Sequence, residues 1–162
     1  MVRYENLVKS LVSCDTVVVA APQRSGTTIC SAMLAYDLGL PLRLEEEFGA
    51  HNEKKFLELT RKKGVVQAPG MCHLLHKLDC VVVFVSRDEK DIRASEKRIG
   101  WNDNERELKK FGLTVGISSE VKKLAWNYQK NLVNHREINY ADLKNHPLWV
   151  DDHKKFGARQ YG

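Results

Sequence analysis

The chain has 162 residues, 43% of them hydrophobic and 29% charged, with a formal net charge of +5 and an isoelectric point near 9.0. That length suits one domain around one core, spanning 1–162, and the composition is that of a soluble globular protein. No apolar run approaches the roughly 20 residues that span a bilayer, and Met1–Asn6 carries no leader-like apolar segment, so a cytoplasmic protein that does not enter membranes is expected.

Residues 4–13 pattern as a short helix with Leu7, Val8, Leu11 and Val12 on one face. Residues 15–21, continuously apolar after Asp15, read as a strand buried on both faces. The run ends in Pro22-Gln23-Arg24-Ser25-Gly26-Thr27-Thr28, and a helix is expected over 27–38, stopped by Gly39 with Pro41 beyond. A strand, a small-residue loop and a helix N-terminus make an anion site, because backbone N–H groups point into the loop and the helix dipole favours negative charge there. Arg24 adds a planar donor fork. A plain strand-to-helix turn with a capping Ser or Thr would use the same residues. The loop is not a Walker A loop: Thr27, not Lys, follows Gly26, and no glycine lies five residues earlier.

Leu42-Arg43-Leu44 suggests a short strand, and Glu45-Glu46-Glu47 with Phe48-Gly49 a loop. A helix over 52–62 turns Phe56 and Leu59 inward. Val65-Val66-Gln67-Ala68 is a second strand, punctuated by Pro69-Gly70, with a short helix over 71–78. Cys80 to Val85 is the next strong strand and ends at Ser86-Arg87, before a helix over 88–98. The stretch 100–118 is polar and reads as a substrate-facing loop, with a helical turn near 104–110. Ser118-Ser119-Glu120 opens a helix of about 15 residues that carries Trp126. Glu137 to Tyr140 is a last strand, followed by a helical turn over 142–145 and a polar, basic tail.

Strands thus alternate with helices from residue 15 to residue 140. The expected fold is α/β, three-layered, with a central, mostly parallel sheet, helices on both faces and a phosphate-binding loop. In such sheets ligands bind outside the carboxyl ends of the strands, so the Pro22–Thr28 loop and the segment from Ser86 to Ser95 can face one ligand. Arg87 ends a strand, and Ser95 lies eight residues on. An Arg fork and a Ser hydroxyl suit the two sides of a phosphate; an Arg paired with Asp88 or Asp91 is the alternative. The four cysteines, Cys14, Cys30, Cys72 and Cys80, include no C-x-x-C pair and are expected to be reduced thiols, with no metal site. No basic run interleaved with aromatics marks a nucleic-acid partner.

In these motifs the chain resembles the P-loop sulfotransferases that use 3′-phosphoadenosine-5′-phosphosulfate. Pro22-Gln23-Arg24-Ser25-Gly26-Thr27-Thr28 is similar to that family's 5′-phosphosulfate loop, and Arg87 with Ser95 to its 3′-phosphate pair. Ile138-Asn139-Tyr140-Ala141-Asp142-Leu143, followed by His146-Pro147, is similar to a later family stretch, with Ala141 where Glu is usual. The resemblance implies Gln23, Arg24, Ser25, Gly26, Thr27, Thr28, Arg87, Ser95 and Tyr140 as donor-binding residues, Tyr140 near the adenine. It further implies sulfuryl transfer to a hydroxyl or amine of a small-molecule or glycan acceptor, with no metal required.

The chain departs from the family's cytosolic branch, whose catalytic His has no counterpart in Gln67-Ala68-Pro69-Gly70. In that respect it is closer to the carbohydrate-type branch, which uses a Glu. Glu45, Glu46 and Glu47 lie 21 to 23 residues beyond Arg24, and Glu46 or Glu47 is the base this implies, with Arg24 stabilising charge. Lys154-Lys155-Phe156-Gly157-Ala158-Arg159 matches the family's C-terminal basic loop poorly. Two other readings stay open: a small nucleotide-kinase-like phosphotransferase, and a non-catalytic nucleotide-binding module. The polar and basic residues of 49–62 and 100–118, including His51 and Trp101, suit the wall of an acceptor site or an ordinary wet surface.

Overall fold

The computed structural model describes residues 2–22, 24–49, 52–98, 127–131 and 133–150. Gln23, His51, Trp101 and Trp126, the stretch 100–118 and the basic tail lie outside the described residues; of the helix expected from Ser118, residues 127–131 are described and are helical. Among the described residues no helix is long and apolar enough to cross a membrane.

The element order is α1 (Tyr4–Leu11), β1 (Thr16–Ala20), α2 (Thr27–Leu38), β2 (Leu42–Arg43), α3 (Glu45–Phe48), α4 (Glu53–Leu59), β3 (Gly64–Gln67), a 3₁₀ segment (Pro69–Lys77), β4 (Val81–Ser86), α5 (Glu89–Arg98), β5 (His135–Asn139) and a 3₁₀ turn (Tyr140–Leu143). The strands form one sheet in the order β2-β3-β1-β4-β5, and every pairing is parallel. The α/β architecture with a parallel central sheet is therefore as the alternation of strands and helices implied.

β1 is central, and its residues alternate between two cores. Val17, Val19 and Ala21 pack with Leu7 and Leu11 of α1 and Ile29, Met33 and Leu34 of α2. Val18 and Ala20 pack with Phe48, Phe56, Leu59 and the 3₁₀ residues Met71, Cys72 and Leu75. Burial on both faces is why β1 reads as an unbroken apolar run instead of an alternating one. On the same helix face as the first core, Tyr4 of α1 donates its hydroxyl to Asp37 at the end of α2 at 2.6 Å. His146 Nε2 lies 2.8 Å from the same carboxylate. The Leu148 N–H donates to His146 Nδ1 at 3.0 Å, so the ring proton sits on Nε2 and is given to Asp37. This cluster ties the segment after β5 to the two N-terminal helices.

Two local elements differ from the sequence expectation. The acidic triplet is a short helix, α3, because the Leu44 N–H donates to Glu47 Oε2 at 3.2 Å and Gly49, at φ 91°, ends the turn. Residues after Pro69 form 3₁₀ geometry with a kink at Met71 in place of a regular helix. Replacing Leu7, fully buried between α1 and the sheet, should test how firmly α1 belongs to the domain: Leu7→Ala is expected to lower unfolding free energy by about 2–5 kcal/mol in urea titration, and a loss below about 1 kcal/mol would contradict this packing.

Candidate functional site

The carboxyl ends of β1, β3, β4 and β5 lie at one edge of the sheet, as parallel pairing requires, and the singled-out residues come directly after them. Beyond β1 the chain turns sharply. Arg24 has φ 68°, the one positive φ at a non-glycine among the described residues, and Gly26 has φ 94°. A left-handed L-residue costs about 1–2 kcal/mol, so this turn is strained where a ligand is expected. Arg24 and Gly26 thus place left-handed backbone on either side of Ser25.

The helix behind the loop leaves its first donors open. α2 has Gly26 as its N-cap and no side-chain capping bond. The Ser25 N–H donates back to Pro22 O at 3.2 Å, and Gly26 O accepts from Cys30 at 3.0 Å. The Ser25 hydroxyl is fully buried and has no hydrogen-bond partner among the described residues. A buried orphan hydroxyl beside uncapped helix N–H groups is a donor set shaped for an anion.

Arg24 is held from both ends. Its Nε donates to Ser95 Oγ at 3.0 Å, and its carbonyl accepts from Arg87 Nη1 at 2.7 Å. The Arg87 guanidinium also stacks 4.1 Å from the centre of the Tyr140 ring. Tyr140 in turn lies on the loop: a Cβ at Gly26 would come within 2.4 Å of its ring. Trp149 meets that ring edge-on, the ring centres 5.2 Å apart. Arg24, Gly26, Arg87, Ser95 and Tyr140, named from three separate stretches of sequence, are thus in one place. Ser95 is fully buried, although it sits in a highly charged helix. Gln23 lies outside the described residues.

Gln67, the last residue of β3, carries the other side of the loop. Its Nε2 donates to Thr27 Oγ1 at 3.1 Å and Thr28 Oγ1 at 3.3 Å, and its Oε1 accepts from the Glu45 N–H at 2.9 Å. The Glu45 carboxylate is buried and accepts from the Gly70 N–H at 2.7 Å. The structure thereby separates the three adjacent acids. Glu45 is wired into the loop's support, whereas Glu46 and Glu47 are exposed on α3 and Glu47 caps that helix. His73 lies on the 3₁₀ segment, its Nε2 2.6 Å from Glu53 Oε1. Sequence reasoning missed Gln67 and Glu45 as working parts. The available signal was one polar side chain at the carboxyl end of an otherwise apolar strand.

Beside Arg87, Ser86 donates to Glu137 Oε1 at 2.6 Å and Lys130 Nζ donates to the same oxygen at 2.9 Å. Burial works to raise the Glu137 pKa, but the Ser86 and Lys130 bonds and the Lys130 charge together hold it below the usual carboxylate value. None of the four cysteines is in a disulfide. Burial pushes the Cys30 thiol up to about 12 and, with smaller contributions, Cys80 up to about 11, which leaves both as inert thiols at neutral pH.

No protein-family model matches this sequence, and no curated protein does. Among solved structures, the chain is similar to a shikimate kinase from Acinetobacter baumannii in complex with shikimate. The likeness has 16% sequence identity and a TM-score of 0.51, covering 81% of this chain and 86% of that one. At that identity it defines the fold alone: a three-layer α/β domain with a parallel central sheet.

Two measurements check this geometry. Gly26→Ala combines a left-handed φ with a clash against Tyr140 and is expected to lose more than about 1 kcal/mol of stability in urea unfolding; a neutral change would contradict the placement of Tyr140. Glu137 has a folded pKa lowered from 4.5, so its stabilisation is present above that value and lost as pH falls through the folded one. Glu137→Gln is therefore expected to cost more stability at about pH 7 than at about pH 3, and an equal cost at both would contradict the Ser86–Glu137–Lys130 arrangement.

Proposed function

We propose that this chain is a sulfotransferase that moves a sulfuryl group from 3′-phosphoadenosine-5′-phosphosulfate to a hydroxyl or amine of a small molecule or glycan. The observation that carries the reading is the cluster of Arg24, Arg87, Ser95 and Tyr140 around Gly26. It sets a second cationic group beside the anion loop, as a donor with a separate 3′-phosphate requires. In the proposed complex the N–H groups after Gly26 and the Thr27 and Thr28 hydroxyls hold the phosphosulfate. Arg87 and Ser95 take the 3′-phosphate, Ser95 exchanging its bond from Arg24 for one to the ligand. Tyr140 contacts the adenine.

The acceptor oxygen or nitrogen attacks sulfur in line. The bond from sulfur to the bridging phosphate oxygen breaks, and 3′,5′-adenosine bisphosphate leaves with that electron pair. Charge grows on the sulfuryl and bridging oxygens, where preorganised loop donors and the Arg24 guanidinium stabilise it. Glu46 or Glu47 accepts the acceptor's proton. Glu45, already accepting from Gly70, supports the loop instead.

The kinase-type fold favours a second reading, phosphoryl transfer from ATP. Such enzymes commonly hold phosphates with a loop lysine and Mg²⁺ with a hydroxyl and an acid. Here Thr27 takes the lysine's place, and the side chain bonded to the loop hydroxyls is the neutral amide of Gln67. Calorimetry separates the two. The bisphosphate should bind at least about tenfold more tightly than ATP with Mg²⁺, the worth of one charge-assisted phosphate contact; equal or tighter ATP binding would overturn sulfuryl transfer. In a transfer assay, Glu46→Gln or Glu47→Gln should lower turnover by about 100-fold with donor affinity unchanged, and two fully active variants would remove both acids from the mechanism.

A further inference from the structure

We propose that Gln67 sets the hydrogen-bonding polarity of the anion loop, holding the Thr27 and Thr28 hydroxyls as acceptors so that both of their protons are donated to the bound anion. This role deepens the sulfotransferase reading and rests on it for the identity of the ligand.

The backbone N–H of Glu45 can only donate. Its 2.9 Å contact with the Gln67 amide therefore fixes which end of the amide is oxygen. The –NH₂ end must then face the two threonines, at 3.1 and 3.3 Å. That nitrogen has two hydrogens and no acceptor capacity, so each hydroxyl is obliged to accept. A hydroxyl that accepts one bond keeps one proton and one further lone pair. Neither proton is given to another described residue. Thr27 is buried at the first turn of α2, where the helix dipole already favours negative charge.

The relay is itself held rigidly. Glu45 is fixed through its carboxylate to Gly70 at 2.7 Å, and β3 is paired on both edges, to β1 and β2. Gln67 touches no part of the proposed ligand and is a positioning residue. Its neutrality matters as much as its geometry. A carboxylate in its place would accept the threonine protons and repel the anion.

The test is calorimetry of 3′,5′-adenosine bisphosphate binding to the full chain in EDTA, with Gln67→Glu and Gln67→Met as the variants. Gln67→Glu keeps the shape and the acceptor for the Glu45 N–H. Gln67→Met keeps only the bulk. The dissociation constant should rise about 10- to 100-fold in Gln67→Glu, the range for lost bonds to a charged group, and by less in Gln67→Met. Mg²⁺ should recover part of the Gln67→Glu loss by shielding the new carboxylate. A loss below about tenfold, one no greater than that of Gln67→Met, or one that Mg²⁺ leaves unchanged overturns the proposal. If Gln67→Glu does not fold, Thr28→Val carries the test, and affinity within about threefold of the parent overturns it. A parent chain that binds ATP and not the bisphosphate defeats sulfuryl transfer alone, and the Gln67 comparison is then read on ATP. A parent that binds neither defeats both.

Discussion

The left-handed backbone at Arg24 is the constraint on which the site depends. A residue with a side chain does not hold φ 68° unless its surroundings fix it. Here they do so at two points: Arg87 bonds the Arg24 carbonyl, and Ser95 receives the Arg24 side chain. The turn this produces leaves Gly26 as the floor on which Tyr140 rests. Loop, second cation and aromatic ring are therefore one mechanical unit. Disturbing any of the three moves the others.

The sheet explains why that unit forms where it does. All described strands run parallel in the order β2-β3-β1-β4-β5, so the segments leaving the strands emerge at a common edge. β1 delivers the loop, β3 delivers Gln67, β4 delivers Ser86 and Arg87, and β5 delivers Tyr140. The two cores on either side of β1 hold those ends in register. Farther back, the Tyr4–Asp37–His146 cluster anchors the segment that carries Trp149, and Trp149 seats Tyr140. Packing remote from the ligand thus bears on the ring that covers the loop.

Much of this was legible in the residues because the signals are local. Val17-Val18-Val19-Ala20-Ala21 is a buried strand by composition, and the small residues with hydroxyls after it mark the turn into α2. Arg87 and Ser95 were legible because a strand end and a helix offset fix their separation. Glu45, Glu46 and Glu47 were not separable, since chemically identical neighbours differ only in which direction a four-residue helix points them. Reading that stretch as a loop hid what distinguishes them, the burial of Glu45 against Gly70 and the capping bond from Leu44 to Glu47. Gln67 was hidden for another reason. Its role comes from pairing β3 between β1 and β2, a non-local fact that no window along the chain contains. The fold likeness to a kinase agrees with the nucleotide-kinase-like alternative that the strand–loop–helix start had kept open.

The central claim is that two distinct anion subsites share one loop, with Arg87 serving the second. The most direct measurement compares the affinities of 3′,5′-adenosine bisphosphate and adenosine 5′-monophosphate, which lacks the 3′-phosphate, for the parent chain and for Arg87→Met. The parent should prefer the bisphosphate by about tenfold or more, and the variant should lose most of that preference while binding the monophosphate nearly as before. Equal affinity of the parent for both nucleotides, or a preference that survives in Arg87→Met, would contradict the claim.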